Sequence, residues 1–108
     1  MTWHPVMPEE DLWEGEIAAV EVAGTKVVLL NVAGEIRAYE DRCPHLGSQL
    51  SEGDLDGRIL TCAMHLWEFD ALTGKGTNPG NSQLTVLEAR VSGGNIEVRA
   101  PDTATPMP

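Results

Sequence analysis

The chain has 108 residues, 42% of them apolar, and 17 acidic against 7 basic side chains give it a formal charge of -10. That length suits one domain, residues 1–108, which buries roughly two-thirds of its unfolded surface. The charge excludes nucleic acid as an expected partner, because phosphate binding needs a basic surface, and no apolar run is long enough to span a membrane.

The opening MTWHPVMPEEDLW has no basic stretch followed by an apolar one. No secretory leader is read there, and the expected location is cytoplasmic. Pro5, Pro8 and the acidic run Glu9-Glu10-Asp11 are read as a short leading segment, with strand-like pattern beginning at Glu16. Ile17–Val22, Lys26–Val32 and Ile36–Tyr39 are predicted strands, separated by turns at Ala23-Gly24-Thr25 and Ala33-Gly34-Glu35. They form a meander, and the continuous apolar run Val27–Leu30 marks the middle strand as buried. Leu55–Arg58 reads as a turn into a strand at Ile59–Thr61, and Trp67-Glu68-Phe69 alternates as a further strand. Gly76–Asn81 reads as a rigid loop, since proline and glycine set its dihedrals. Leu84–Val91 and Asn95–Arg99 make a last hairpin, and the tail PDTATPMP is expected to fray. No stretch has a helical period, so the fold class is all-β, built of small antiparallel sheets.

Both cysteines and two of the three histidines lie in Cys43-x-His45 and Cys62-x-x-His65, with sixteen residues between the pairs. A disulfide is disfavoured in a reducing compartment, and a histidine beside each cysteine points to metal ligation instead. A Cys₂His₂ set could hold structural zinc, although zinc fingers usually pair Cys with Cys and His with His. A [2Fe–2S] centre with two thiolates on one iron and two imidazoles on the other explains the mixing, because each loop then supplies one ligand to each iron. His4 has no neighbouring ligand and is given no role.

The whole chain resembles a small Rieske-type ferredoxin, on Cys43, His45, Cys62, His65, the His45-Leu46-Gly47 step and Gly76-Thr77-Asn78-Pro79-Gly80. The resemblance implies two small base sheets and a cluster-binding subdomain over about residues 43–69. Over about residues 76–81 it implies a proline loop that covers one Rieske-type [2Fe–2S] cluster. It also implies that Pro44 and Pro79 stiffen their loops and that Gly47, with Gly76 or Gly80, permits close backbone approach. His45 and His65 would be both ligands and the electron exit. Leu46, Leu66 and Pro79 would form a dry docking face beside them. Trp67 is expected either on that face or in core packing.

Departures from the family pattern carry expectations too. High-potential members hold an extra cysteine in each loop, and Ser48 and Met64 stand in those places here, so that disulfide is absent. Trp67 and Phe69 stand where those members place hydroxyl donors to sulfur. Fewer donors predict a potential in the lower half of the Rieske range of roughly -150 to +300 mV.

His65-Leu66-Trp67 and the opening Asp11-Leu12-Trp13-Glu14-Gly15-Glu16 resemble a narrower branch. Its members are ferredoxin components of four-component diiron monooxygenases that oxidise aromatic hydrocarbons or alkenes. Ferredoxins of ring-hydroxylating dioxygenases and the small subunit of nitrite reductases are the related alternatives. The resemblance implies one-electron transfer by a monomer without substrate chemistry. The donor would be an NADH-dependent flavin and iron–sulfur reductase, and the acceptor a diiron hydroxylase. The acidic surface suits weak, salt-sensitive encounters with basic docking patches. Glu52, Asp54 and Asp56 read as a solvated acidic spacer.

Overall fold

The computed structural model describes residues 2–22, 24–42, 49–62, 67–78 and 83–100. Among the described residues ten strands follow in chain order: β1 (Thr2–Pro8), β2 (Ile17–Val22), β3 (Thr25–Val32), β4 (Glu35–Glu40), β5 (Asp54–Asp56), β6 (Ile59–Thr61), β7 (Glu68–Asp70), β8 (Gly76–Asn78), β9 (Val86–Ser92) and β10 (Asn95–Ala100). Two short 3₁₀ turns, Glu9–Asp11 and Leu50–Glu52, interrupt them. No helix among the described residues is long and apolar enough to cross a membrane.

The strands form two antiparallel sheets. One has six strands in the order β1-β10-β9-β4-β3-β2, and the other has four in the order β5-β6-β7-β8. The meander β2-β3-β4 appears as the sequence predicts. Its second hairpin turns on Ala33 (φ 54°) and Gly34 (φ 92°), the paired positive dihedrals of a two-residue turn that follows strand twist.

Three segments differ from the sequence reading. The leading segment is a strand, β1, despite Pro5 and Pro8. It pairs only with β10 at a sheet edge, where a missing N–H is tolerated, and its register shifts between Pro5 and Met7. Asp54-Leu55-Asp56 is a strand rather than part of a spacer and turn: both aspartates are exposed, and Leu55 packs against the core. Gly76–Asn78 is a strand paired with β7 and not part of a rigid loop; the remainder of that loop, residues 79–81, lies outside the described residues.

β3 has a core on each side, because successive strand residues face opposite ways. Val28, Leu30 and Val32 meet Leu50, Leu60, Cys62 and Phe69 between the two sheets. Val27 and Leu29 meet Leu12, Val22, Ile96 and Val98 within the curl of the six-stranded sheet. This explains why the run Val27–Leu30 is apolar without alternation.

Tyr39 joins the sheets. Its buried hydroxyl donates to the Ala71 carbonyl at 2.7 Å. The Ala71 turn is held in place by Asp70, whose Oδ1 accepts the Leu72 N–H and whose Oδ2 accepts Arg58 at 2.9 Å. The Arg58 hydrogen bond holds the Asp70 carboxyl below the ordinary carboxylate range. Burial pushes the Tyr39 hydroxyl from its ordinary 10.0 up to about 12. The unfolded chain therefore loses this proton first. The contribution is intact below pH 10 and declines as pH rises through 12, by roughly 1.4 kcal/mol per unit. Tyr39→Phe should abolish that alkaline component. At neutral pH it should lower stability by about 1–2 kcal/mol by orphaning the Ala71 carbonyl. Urea unfolding of both proteins between pH 7 and 11 checks both effects.

Candidate metal centre

Cys62 follows β6 directly, and Trp67 directly precedes β7. The pairing Thr61↔Glu68 brings their ends together, and the Cys62 N–H donates to the Trp67 carbonyl at 2.8 Å. Cys62 and Trp67, which flank residues 63–66 in sequence, thus lie side by side. The strand sequences explain this placement. Leu60 and Phe69 are opposite one another and fully buried, so the register that fills the core also fixes the positions of Cys62 and Trp67.

Cys62 is fully buried. An ionised thiolate at such a depth is unfavourable without compensating positive charge, which a bound metal would supply. Trp67 is half-buried and packs against the core between the sheets, as its packing alternative expects. Phe69 is wholly within that core. Of the other residues predicted for the site, Cys43, Pro44, His45, Leu46, Gly47, Ser48, Met64, His65, Leu66, Pro79 and Gly80 lie outside the described residues. No cluster of three or more His, Cys, Asp or Glu is formed among the described residues, which hold only Cys62 of the four expected ligands. His4, given no role, sits in β1 opposite Val98.

The root of the first loop is described on both sides. Asp41 follows β4, and its N–H donates to the Lys26 carbonyl at 2.8 Å. Beyond residues 43–48, Leu50 is fully buried in the same core cluster as Cys62. The roots of both expected ligand loops thus share one apolar core. Glu52, Asp54 and Asp56 are exposed, on or next to the outer strand β5. Their side chains are exposed as the sequence predicts, whereas the backbone of Asp54–Asp56 is strand.

A family model for the Rieske [2Fe-2S] domain matches residues 2–88. The chain belongs to the Rieske family. The donor set of two thiols and two imidazoles in two short pairs fits that family's cluster, and the zinc reading is set aside. Among curated relatives, the ferredoxin component of an alkene monooxygenase system from Xanthobacter autotrophicus is 38% identical, over 81% of this chain and 72% of the relative. The 3-phenylpropionate/cinnamic acid dioxygenase ferredoxin subunit of Escherichia coli is 35% identical, over 88% of this chain and 91% of the relative.

Solved structures agree with the Rieske fold. A chain in the complex of reduced oxygenase and oxidised ferredoxin in carbazole 1,9a-dioxygenase superposes with a TM-score of 0.82 at 33% identity, covering 89% of this chain and 91% of that one. The ferredoxin of carbazole 1,9a-dioxygenase from Nocardioides aromaticivorans IC177 superposes at 0.83 with 25% identity, covering 91% and 97%. Relatives thus include ferredoxins of both monooxygenase and dioxygenase systems. The Rieske fold expected from the sequence is the fold found. The narrower diiron-monooxygenase branch is not singled out.

Proposed function

We propose that this Rieske protein is a ferredoxin that carries one electron at a time to an oxygenase component, with no substrate chemistry of its own. Its one [2Fe–2S] cluster would be held by Cys43, His45, Cys62 and His65. The observation that carries this reading is the buried Cys62 at the root of a connection closed by the Cys62–Trp67 backbone hydrogen bond. His65 lies in sequence between Cys62 and Trp67, three residues after the thiol.

The bound cluster would supply a single low-energy site for one added electron. The chain's own residues set the rest. β6 and β7 hold Cys62 in apolar surroundings that exclude water. Residues 43–69 would form the cluster-binding subdomain, and residues 79–81, just beyond β8, would cover the site. Pro44 and Pro79 would limit movement between redox states, and Gly47 would let backbone approach closely. Leu46, Leu66 and the exposed part of Trp67 would make a small apolar docking face beside His45 and His65. Trp67 and Phe69 carry no hydroxyl, so a potential in the lower half of the Rieske range is expected. The reading places the protein in the cytoplasm as a monomer. A reducing compartment there keeps both thiols available for iron.

Ring-hydroxylating dioxygenases are the better-supported acceptors, because their ferredoxins match along most of this chain and include the carbazole dioxygenase structures. A hydrocarbon monooxygenase with a diiron hydroxylase is the second reading, favoured by the 38% identity to the alkene monooxygenase ferredoxin and by His65-Leu66-Trp67. In either case an NADH-dependent reductase component would be the donor. The test is an iron and sulfide assay of anaerobically purified protein, with EPR after dithionite reduction and a redox titration. Two irons and two sulfides per chain, a rhombic signal averaging below the free-electron g value and a low midpoint are expected. A colourless protein holding zinc would end the electron-carrier reading.

A further inference from the structure

We infer that Asp41 and Ser51 form a clasp that positions the first ligand loop and couples it to the second. The inference rests on the proposed ligation by Cys43, His45, Cys62 and His65. Asp41 stands two residues before Cys43, and Ser51 lies in the 3₁₀ turn that follows the loop. The Asp41 carboxylate grips this one residue twice. Oδ1 accepts the Ser51 N–H at 2.8 Å, and Oδ2 accepts the Ser51 hydroxyl at 2.7 Å. Asp41 is only 4% exposed, so these bonds act away from water and satisfy a carboxylate that would otherwise be unfavourably buried. Its own N–H is bonded to Lys26 on β3, so the clasp is anchored to the large sheet.

The consequence is geometric. Residues 41 and 51, which flank residues 43–48 in sequence, are tied together through one carboxylate. The far side of the clasp then reaches the second loop. Leu50, beside Ser51, is buried in one cluster with Cys62. Gly53 donates its N–H to the Leu50 carbonyl at 2.9 Å and sits against the Thr61 carbonyl, one residue before Cys62. Asp41, Ser51, Gly53 and Thr61 thus connect the root of one ligand pair to the root of the other. Asp41 and Ser51 are positioning residues, since neither is a proposed ligand.

The test uses Asp41→Ala, Ser51→Ala and Asp41→Asn in the full chain. Asparagine is the rescue: it can still accept the Ser51 N–H and donate to the Ser51 oxygen. Iron and sulfide content of the unaltered protein comes first, and its failure would sink the ligand assignment without bearing on the clasp. Given a loaded protein, loss of the visible chromophore to a chelator is timed at a temperature where circular dichroism shows every variant folded. Asp41→Ala should lose its cluster about tenfold faster, within the range typical for residues that support metal ligands. Ser51→Ala should be several-fold faster, and Asp41→Asn close to the unaltered rate. The g values of the cluster remaining in Asp41→Ala should also shift; a merely structural pair would lower the melting temperature and leave them in place. Unaltered g values and release rate in folded Asp41→Ala would overturn the inference, as would Asp41→Asn releasing as fast as Asp41→Ala. If Asp41→Ala does not fold, Ser51→Ala decides: an unaltered release rate overturns the clasp, and faster release supports it.

Discussion

Cys62→Ala is expected to yield a protein with neither iron nor sulfide. Cys62 is wholly enclosed by the core between the sheets, among Val28, Leu50, Leu60 and Phe69. Two roles could account for such a cysteine, a small apolar filler or a ligand. They differ sharply in what its removal does. As filler, its truncation would cost about 1 kcal/mol of stability and leave metal content untouched. As a ligand, its loss leaves one iron short of a thiolate, and the whole cluster is lost. Alanine is the better substitution because a serine oxygen could still reach the metal. Iron and sulfide per chain report the ligand role. Melting of the metal-free forms of both proteins reports the packing role separately. Two irons retained in Cys62→Ala would remove Cys62 from the ligand set.

Gly53→Ala should be strongly destabilising. Gly53 has ordinary backbone angles (φ -88°, ψ -160°), so alanine has no intrinsic objection to its conformation. The obstacle is space. A Cβ built there runs into the Thr61 carbonyl oxygen and also meets the Leu50 carbonyl at 3.3 Å. Both are main-chain atoms. Thr61 is fixed by its pairing with Asp54 and Glu68, and it cannot swing aside as a side-chain tip would. Relief requires β5 to part from β6. We expect a loss of about 3 kcal/mol, at the upper end of overpacking effects, with earlier exchange of the β5–β6 amides. Urea unfolding and hydrogen exchange measure the two. A stability change under about 0.5 kcal/mol, the size of an ordinary surface substitution, would contradict the collision.

The parts of this fold that were legible in the sequence are local. β2 and β3 announce themselves by their β-branched residues and β4 by alternation, between glycine turns, and the hairpin β9–β10 by Ser92-Gly93-Gly94. β1 was hidden because Pro5 and Pro8 look like breakers, and only its place at a sheet edge makes them acceptable. β5 and β8 are three residues each, and their aspartates, glycine and asparagine are typical of turns. What makes them strands is pairing with β6 and β7. The candidate ligands were legible for a different reason: a mixed Cys and His spacing has few chemical explanations. Their supports left no such trace. Asp41 with Ser51, Gly53 with Thr61 and Tyr39 with Ala71 meet only after folding, and nothing in the intervening sequence marks them.

The pairing of β4 with β9 has a consequence of its own. Ala38 lies opposite Leu87, Tyr39 lies opposite Val86, and the Glu40 N–H donates to the Thr85 carbonyl at 3.0 Å. The chain therefore departs from the six-stranded sheet and re-enters it through a single doorway. Everything between, including the four-stranded sheet and all four candidate ligands, is an excursion from one hydrogen-bonded strand pair. A lengthened spacer or a reshaped loop within it would leave the doorway unmoved. The doorway alone does not hold the excursion: Val28, Leu30 and Val32 of β3 and Tyr39 of β4 pack against it, so a host sheet would have to supply that apolar face as well as the strand pair.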